Sequence, residues 1–234
     1  MNVIPRILLA IPCYNEGANI SKILQEIKEQ ETDCDIIVVD DGSSDNTYFV
    51  ASQFSHCVKL VANLGIGGAV QTALKYALEN DYDLFIRIDG DGQHPPSQIH
   101  VLIKSYLTSS ANLIIGSRFL LIGDFQSTWT RRLGIGVIRS AFKWLFGRKI
   151  TDLTSGFMLM DRKAIRLFSA EYPQDFPEPI STAFALERGL TVREVPVQMR
   201  AREQGSSSIR GIKIFAYMVR VIGYLILIRM GRHI

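Results

Sequence analysis

The chain has 234 residues, 47% of them hydrophobic and 21% charged, with a formal net charge of +3. This length builds one substantial core and favours a single domain. So small a charge excludes nucleic acid as the expected partner, because such binders carry a larger basic excess or a concentrated basic stripe.

At the N-terminus a short apolar run follows Arg6 but is cut by Pro12 and then Asn15-Glu16, before a signal-peptide core is complete, so no export is expected. The run reads instead as a first strand, 6–11, and further β-branched strands are predicted at 35–40, 58–61, 83–89 and 112–116. Helical periodicity occupies 18–30 and 68–79. Strand and helix in alternation predict an α/β domain whose mostly parallel sheet is covered on both faces. The cysteines Cys13, Cys34 and Cys57 lack any C-x-x-C spacing and read as buried, reduced thiols, not as a disulfide framework or zinc site.

Polar motifs fall where the strands end: Asn15-Glu16, Asp40-Asp41, Asn63, Asp89 to Asp91, and Ser117-Arg118. In open α/β sheets ligands bind outside the carboxyl ends of the strands, so these motifs are expected to share one site. Beyond Arg118, the stretch 129–149 mixes Trp129, Phe142, Trp144 and Phe146 with Arg131, Arg132, Arg139 and Lys143. It fits an amphipathic helix with a solvated basic face, or a surface for phosphates and lipid headgroups. The stretch 212–228 is apolar but carries Lys213 and Arg220. It falls short of the ~20 clean apolar residues of a spanning helix and reads as a helix lying on a membrane.

Asp89-Gly90-Asp91 places two carboxylates one residue apart after a buried strand. Such a pair is either a polar turn or an oxygen site for a hard divalent cation that leaves positions open for a diphosphate. An EF-hand is excluded, because its glycine and glutamate positions, counted from Asp89, are His94 and His100. Asp40-Asp41 precedes Ser44 and Asp45, which suit a helix cap, yet capping does not explain adjacent carboxylates that repel unless they meet a cation or ligand donors. The glycines of 63–69 allow close backbone approach to a ligand, but as a dinucleotide fingerprint the string fails at Val70.

Taken with Pro12-Cys13-Tyr14, Gly116-Ser117-Arg118, Thr151 to Phe157 and Arg202 to Ser208, these strings resemble the family 2 glycosyltransferases. The resemblance is to their polyprenyl-phosphate branch, which includes dolichol-phosphate mannose synthase, and covers nearly the whole chain. It implies a GT-A nucleotide-sugar-binding domain over 1–208 and a membrane-associated amphipathic helix over 209–234. Donor contacts would come from Pro12, Tyr14, Glu16, Asp41, Asn63, Gly67, Asp89 and Gly90. A Mg2+ or Mn2+ ion would be held by Asp89, Asp91 and Gln93. Asp91, Arg118 and Arg202 would act in catalysis, with Arg202 folding over the diphosphate, and Arg118, Arg131 and Arg132 would hold the acceptor phosphate. The implied reaction is inverting transfer of a hexosyl or N-acetylhexosaminyl unit from a nucleotide diphosphate sugar to undecaprenyl or dolichyl phosphate, for surface polysaccharide or glycoconjugate assembly. The enzyme would work peripherally at the cytoplasmic face of a membrane, with a small membrane protein as a partner in the short bacterial members that the chain resembles. Two departures stand out: Ile135 where that branch commonly has serine, and Met158 where bacterial relatives often follow Ser-Gly-Phe with arginine. The alternatives are transfer to a sugar hydroxyl with Glu178 as general base, or a non-catalytic nucleotide-binding membrane scaffold.

Overall fold

The computed structural model describes residues 5–120, 129–200 and 212–231. Seven strands form one sheet among them: β1 (Ile7–Cys13), β2 (Asp35–Asp40), β3 (His56–Lys59), β4 (Leu84–Arg87), β5 (Leu113–Ser117), β6 (Met158–Asp161) and β7 (Val192–Pro196), in the order β3-β2-β1-β4-β6-β5-β7. All neighbours are parallel except β6, which runs antiparallel to both β4 and β5. The helices are α1 (Ile20–Glu29), α2 (Thr47–Ser52), α3 (Gly65–Glu79), α4 (Ile99–Ser109), α5 (Trp129–Phe146), α6 (Arg162–Ala170), α7 (Pro177–Glu187) and α8 (Ile212–Arg229).

Strand alternation divides the core in two. Along β1, Leu8 and Ala10 pack into a cluster with α3, α6, α7 and α8, while Leu9, Ile11 and Cys13 pack into a second cluster with α1 and α4. Every residue of β1 is buried, as a central strand covered on both faces requires. Helix α8 is part of this packing: Val221, Leu225 and Ile228 lie in the first cluster. The expected domain boundary after residue 208 falls in 201–211, outside the described residues. Among the described residues no helix is long and apolar enough to cross a membrane. Of the cysteines only Cys13 is fully buried, and Cys34 and Cys57 are partly exposed.

After β3 the chain crosses back to add β4 on the other side of β1, so strand order reverses between β1 and β4. Such a switch point opens a crevice at the strands' carboxyl ends. Because β6 is antiparallel, its beginning, and the segment 151–157 before it, reach the same rim.

Candidate active site

The rim is built from interlocked loops. Asp45 accepts from Gly17 N–H at 3.1 Å and from Thr47 N–H at 2.9 Å, Ser43 Oγ accepts from Asn15 N–H at 2.9 Å, and Asn15 Oδ1 accepts from Ser44 N–H at 3.0 Å. These bonds fasten the loop after β1 to the loop after β2, and leave Tyr14 about half exposed above them. Pro12 lies buried in β1, and Glu16, on the same loop, accepts from Asn19 Nδ2 at 2.7 Å.

Asp41 is buried, and its two oxygens accept the N–H groups of Leu64 (2.7 Å) and Gly65 (2.8 Å), so it anchors the start of α3. Burial raises its pKa and the two backbone bonds oppose that rise. Gly42 has φ +70°, and a Cβ there would stand 2.8 Å from the backbone of Ala62. Only glycine lets the two loops lie this close. Asn63 is exposed, with Oδ1 on Gly65 N–H at 3.1 Å. A Cβ on Gly67 would come within 2.5 Å of the Pro173 carbonyl, so close packing of α3 on the 173–174 segment by itself requires glycine here.

The D-x-D sits beyond β4. A Cβ on Gly90 would meet Cys13 Sγ at 2.6 Å, so this glycine lets the motif lie against the end of β1. Asp89 Oδ1 accepts from Arg87 Nη2 at 2.9 Å, and the Asp89 N–H donates to His94 Nδ1 at 2.9 Å. His94 is buried and stacks on Phe157. Burial is the main cause that lowers its pKa, which suits a ring whose Nδ1 has to keep a lone pair. Burial works to raise the Asp89 pKa, but the positive charge of Arg87 leads the influences that hold it below the ordinary carboxylate range. Asp89 is therefore ionised. Asp91, half-buried on the loop, accepts from Gln93 N–H at 3.1 Å, and the Gln93 carbonyl accepts from Arg200 N–H at 3.0 Å.

Two features escaped sequence reasoning. Arg87, 2% exposed, also donates through Nη2 to Glu178 Oε1 at 3.0 Å, joining Asp89 to the first turn of α7. Asp152 forms a two-pronged pair with Arg118, Nε to Oδ2 at 2.7 Å and Nη2 to Oδ1 at 2.8 Å. Burial disfavours both charges, and their pairing holds the Asp152 pKa down and the Arg118 pKa up. Arg118 was expected to hold an acceptor phosphate. In the structure its guanidinium braces the 152–154 segment, with Nη2 also on Thr154 Oγ1 at 2.8 Å. Arg131 and Arg132 lie in the first turn of α5, but their side chains, like the whole of Arg202, fall outside what the structure describes.

Among the described residues no three His, Cys, Asp or Glu side chains converge as a metal cluster. Two carboxylates and an amide are a smaller set, and their chemistry fits a hard cation: the ligand atoms are all oxygen and Asp89 is ionised. Gly156 lies against this carboxylate: a Cβ there would stand 2.8 and 2.9 Å from the two Asp89 oxygens and 2.7 Å from Arg87 Nη2. Only glycine lets the 151–157 segment pack this close to the Asp89–Arg87 pair. Gly156→Ala is expected to lower turnover about tenfold or more, at a stability cost of about 1–3 kcal/mol from overpacking, checked by steady-state kinetics beside denaturant unfolding.

The family model described as Glycosyl transferase family 2 matches residues 9–168. The chain is 30% identical to the UDP-N-acetylglucosamine–dolichyl-phosphate N-acetylglucosaminyltransferase of Methanococcus voltae, over 89% of this chain and 93% of that protein. It is 29% identical to the polyprenol monophosphomannose synthase of Mycolicibacterium smegmatis, over 92% and 85% of the two chains. In fold it is similar to glucosyl-3-phosphoglycerate synthase from Mycobacterium tuberculosis, crystallised with Mn2+, UDP and glucosyl-3-phosphoglycerate. That match has a TM-score of 0.74 at 20% identity and covers 97% of this chain and 81% of that one.

Proposed function

The chain belongs to glycosyl transferase family 2, and on that premise we propose that it moves a sugar from a nucleotide diphosphate sugar to the phosphate of a polyprenyl phosphate, with inversion and with a divalent cation. Of the relatives named above, one carries dolichyl phosphate as acceptor in its name and the other a polyprenol monophosphomannose product, which supports the lipid phosphate as acceptor class. The observation that carries the reading is the oriented, ionised Asp89 beside Asp91 at the switch point between β1 and β4.

Asp89, Asp91 and Gln93 would hold the cation, which would offset the negative charge growing on the leaving diphosphate. Tyr14 and the loop that Asp41 anchors would receive the nucleoside. Arg202, by resemblance, closes over the diphosphate with a guanidinium fork. Arg131 and Arg132 begin α5 at a helix N-terminus, where the helix dipole also favours an anion. A phosphate monoester is already ionised near neutral pH, so it attacks the anomeric carbon without a general base. Glu178 fits that scheme, since its carboxylate is bound to the buried Arg87.

Radiolabelled nucleotide sugars offered with polyprenyl phosphate test the reading. Label should enter an organic-extractable product from one donor, and chelator should stop it. No labelled lipid from any donor would overturn the proposal.

Peripheral membrane association belongs to the same reading. Trp144 on α5 is 84% exposed, and Ile226 on α8 is 42% exposed on a helix whose other side is packed into the core. Removing α8 would uncover Val221, Leu225 and Ile228 and destabilise the domain, so truncation is a poor test. Trp144→Glu with Ile226→Glu is expected to leave folding unchanged and to reduce sedimentation with anionic vesicles about tenfold.

A further inference from the structure

Arg87 is the largest fully buried side chain among the described residues, and it stands in a core strand one residue before the D-x-D loop begins to turn. Burying a guanidinium is costly, and it persists only where partners hold it. Here one nitrogen, Nη2, reaches two carboxylates on separate elements, Asp89 after β4 at 2.9 Å and Glu178 on α7 at 3.0 Å, while Nε also reaches Asp89 Oδ1 at 3.2 Å. Nη1 makes no hydrogen bond of good geometry among the described residues, although the buried Tyr172 hydroxyl lies close enough to interact with the guanidinium. A pair selected for stability alone would meet that donor or be replaced by apolar packing, which is often the more stable choice. The geometry therefore serves something besides the core.

We propose that Arg87 is a positioning residue: it fixes the orientation of the Asp89 carboxylate, and Glu178 contributes to turnover only by setting where Arg87 stands. Glu178 draws the guanidinium toward α7, so that Arg87 orients Asp89 without taking the carboxylate wholly for itself. Neutralising Glu178 leaves Arg87 entirely to Asp89. The strand register supplies an independent handle. Arg87 lies directly opposite Met158 across the antiparallel β4–β6 pair, and directly opposed residues project from the same face. Met158 therefore offers a place on the neighbouring strand, at the same level of the sheet, from which a guanidinium could be returned.

This inference rests on the donor-side assignment of Asp89, and its test separates the two. A cycle of Glu178→Gln, Arg87→Met and the double variant is measured for turnover, for the acceptor KM, and for Mn2+ binding followed through the free-ion resonance. Glu178→Gln should lower kcat about fivefold to tenfold and weaken Mn2+ binding by a similar factor, with the acceptor KM unchanged; in the Arg87→Met background the same substitution should change neither by more than about twofold. Equal losses in both backgrounds would overturn the proposal, because Glu178 would then act directly. Wild-type protein that neither binds Mn2+ nor turns over would instead sink the donor-site reading. If Arg87→Met does not fold, Arg87→Met with Met158→Arg takes its place. This variant returns the guanidinium from the opposite strand and should recover turnover to within about tenfold of wild type. A folded relocation variant with no recovery would also overturn the proposal.

Discussion

Asp91→Ala is expected to lower sugar transfer about 100- to 1,000-fold, the loss typical when an electrostatic contact to a developing charge is removed, with little change in unfolding midpoint. Asp91 sits on a half-buried loop, and one bond it makes, to Gln93 N–H, is local to the turn. Asp89→Ala should be equally inactive but also less stable. It leaves the buried Arg87 with Glu178 as its single carboxylate partner, and breaking a buried pair from one side costs about 3 kcal/mol or more. The sequence alone suggests that both substitutions spare the fold, and the ion pair corrects that for Asp89. Kinetics beside urea unfolding check the contrast. An Asp91→Ala enzyme with near-normal turnover would remove the cation from the account.

The β1, β2 and β5 strands and helices α1 and α3 are legible within a few residues, because each is long or flanked by clear polar turns. The third strand is read two residues late, at 58–61, because β3 is an edge strand with half-exposed residues and little hydropathy contrast. Its true limits come from register, His56 against Ile37 and Lys59 against Asp40. The β6 strand of four residues and the alternating β7 carry too little pattern to stand out, so the antiparallel strand inside a mostly parallel sheet is not foreseen. The D-x-D is plain in the sequence, while the partners that hold it are not. Glu178 is 91 residues from Arg87 and Asp152 is 34 from Arg118, separations that no local pattern reports. One signal was present, an arginine inside the apolar run 84–88, where a charge needs a buried partner. Of the two departures, Met158 is answered by packing: it is fully buried in β6 and belongs to the core.

The second large effect concerns the acceptor. Replacing Arg131 and Arg132 together by alanine is expected to lower kcat/KM for polyprenyl phosphate about 100-fold or more, since each charge-assisted contact contributes about 1.5–3 kcal/mol. Donor nucleotide binding should stay nearly unchanged, because the proposed nucleoside contacts come from the loops after β1, β2 and β3. Glu178→Gln should cost tenfold or less, whereas loss of a true general base would cost ~100-fold or more. An inactive Glu178→Gln enzyme beside a healthy arginine variant would replace the lipid phosphate with a sugar hydroxyl as acceptor.

The nature of the new bond tests the central claim most directly. Phosphorus NMR of the purified lipid product distinguishes a phosphate monoester from a diester. The account predicts that the monoester resonance of polyprenyl phosphate converts to a phosphodiester as sugar is incorporated, and that polyprenol lacking the phosphate accepts nothing. Sugar incorporated while the monoester resonance remains unchanged would mean that a hydroxyl is the nucleophile, and would contradict the account.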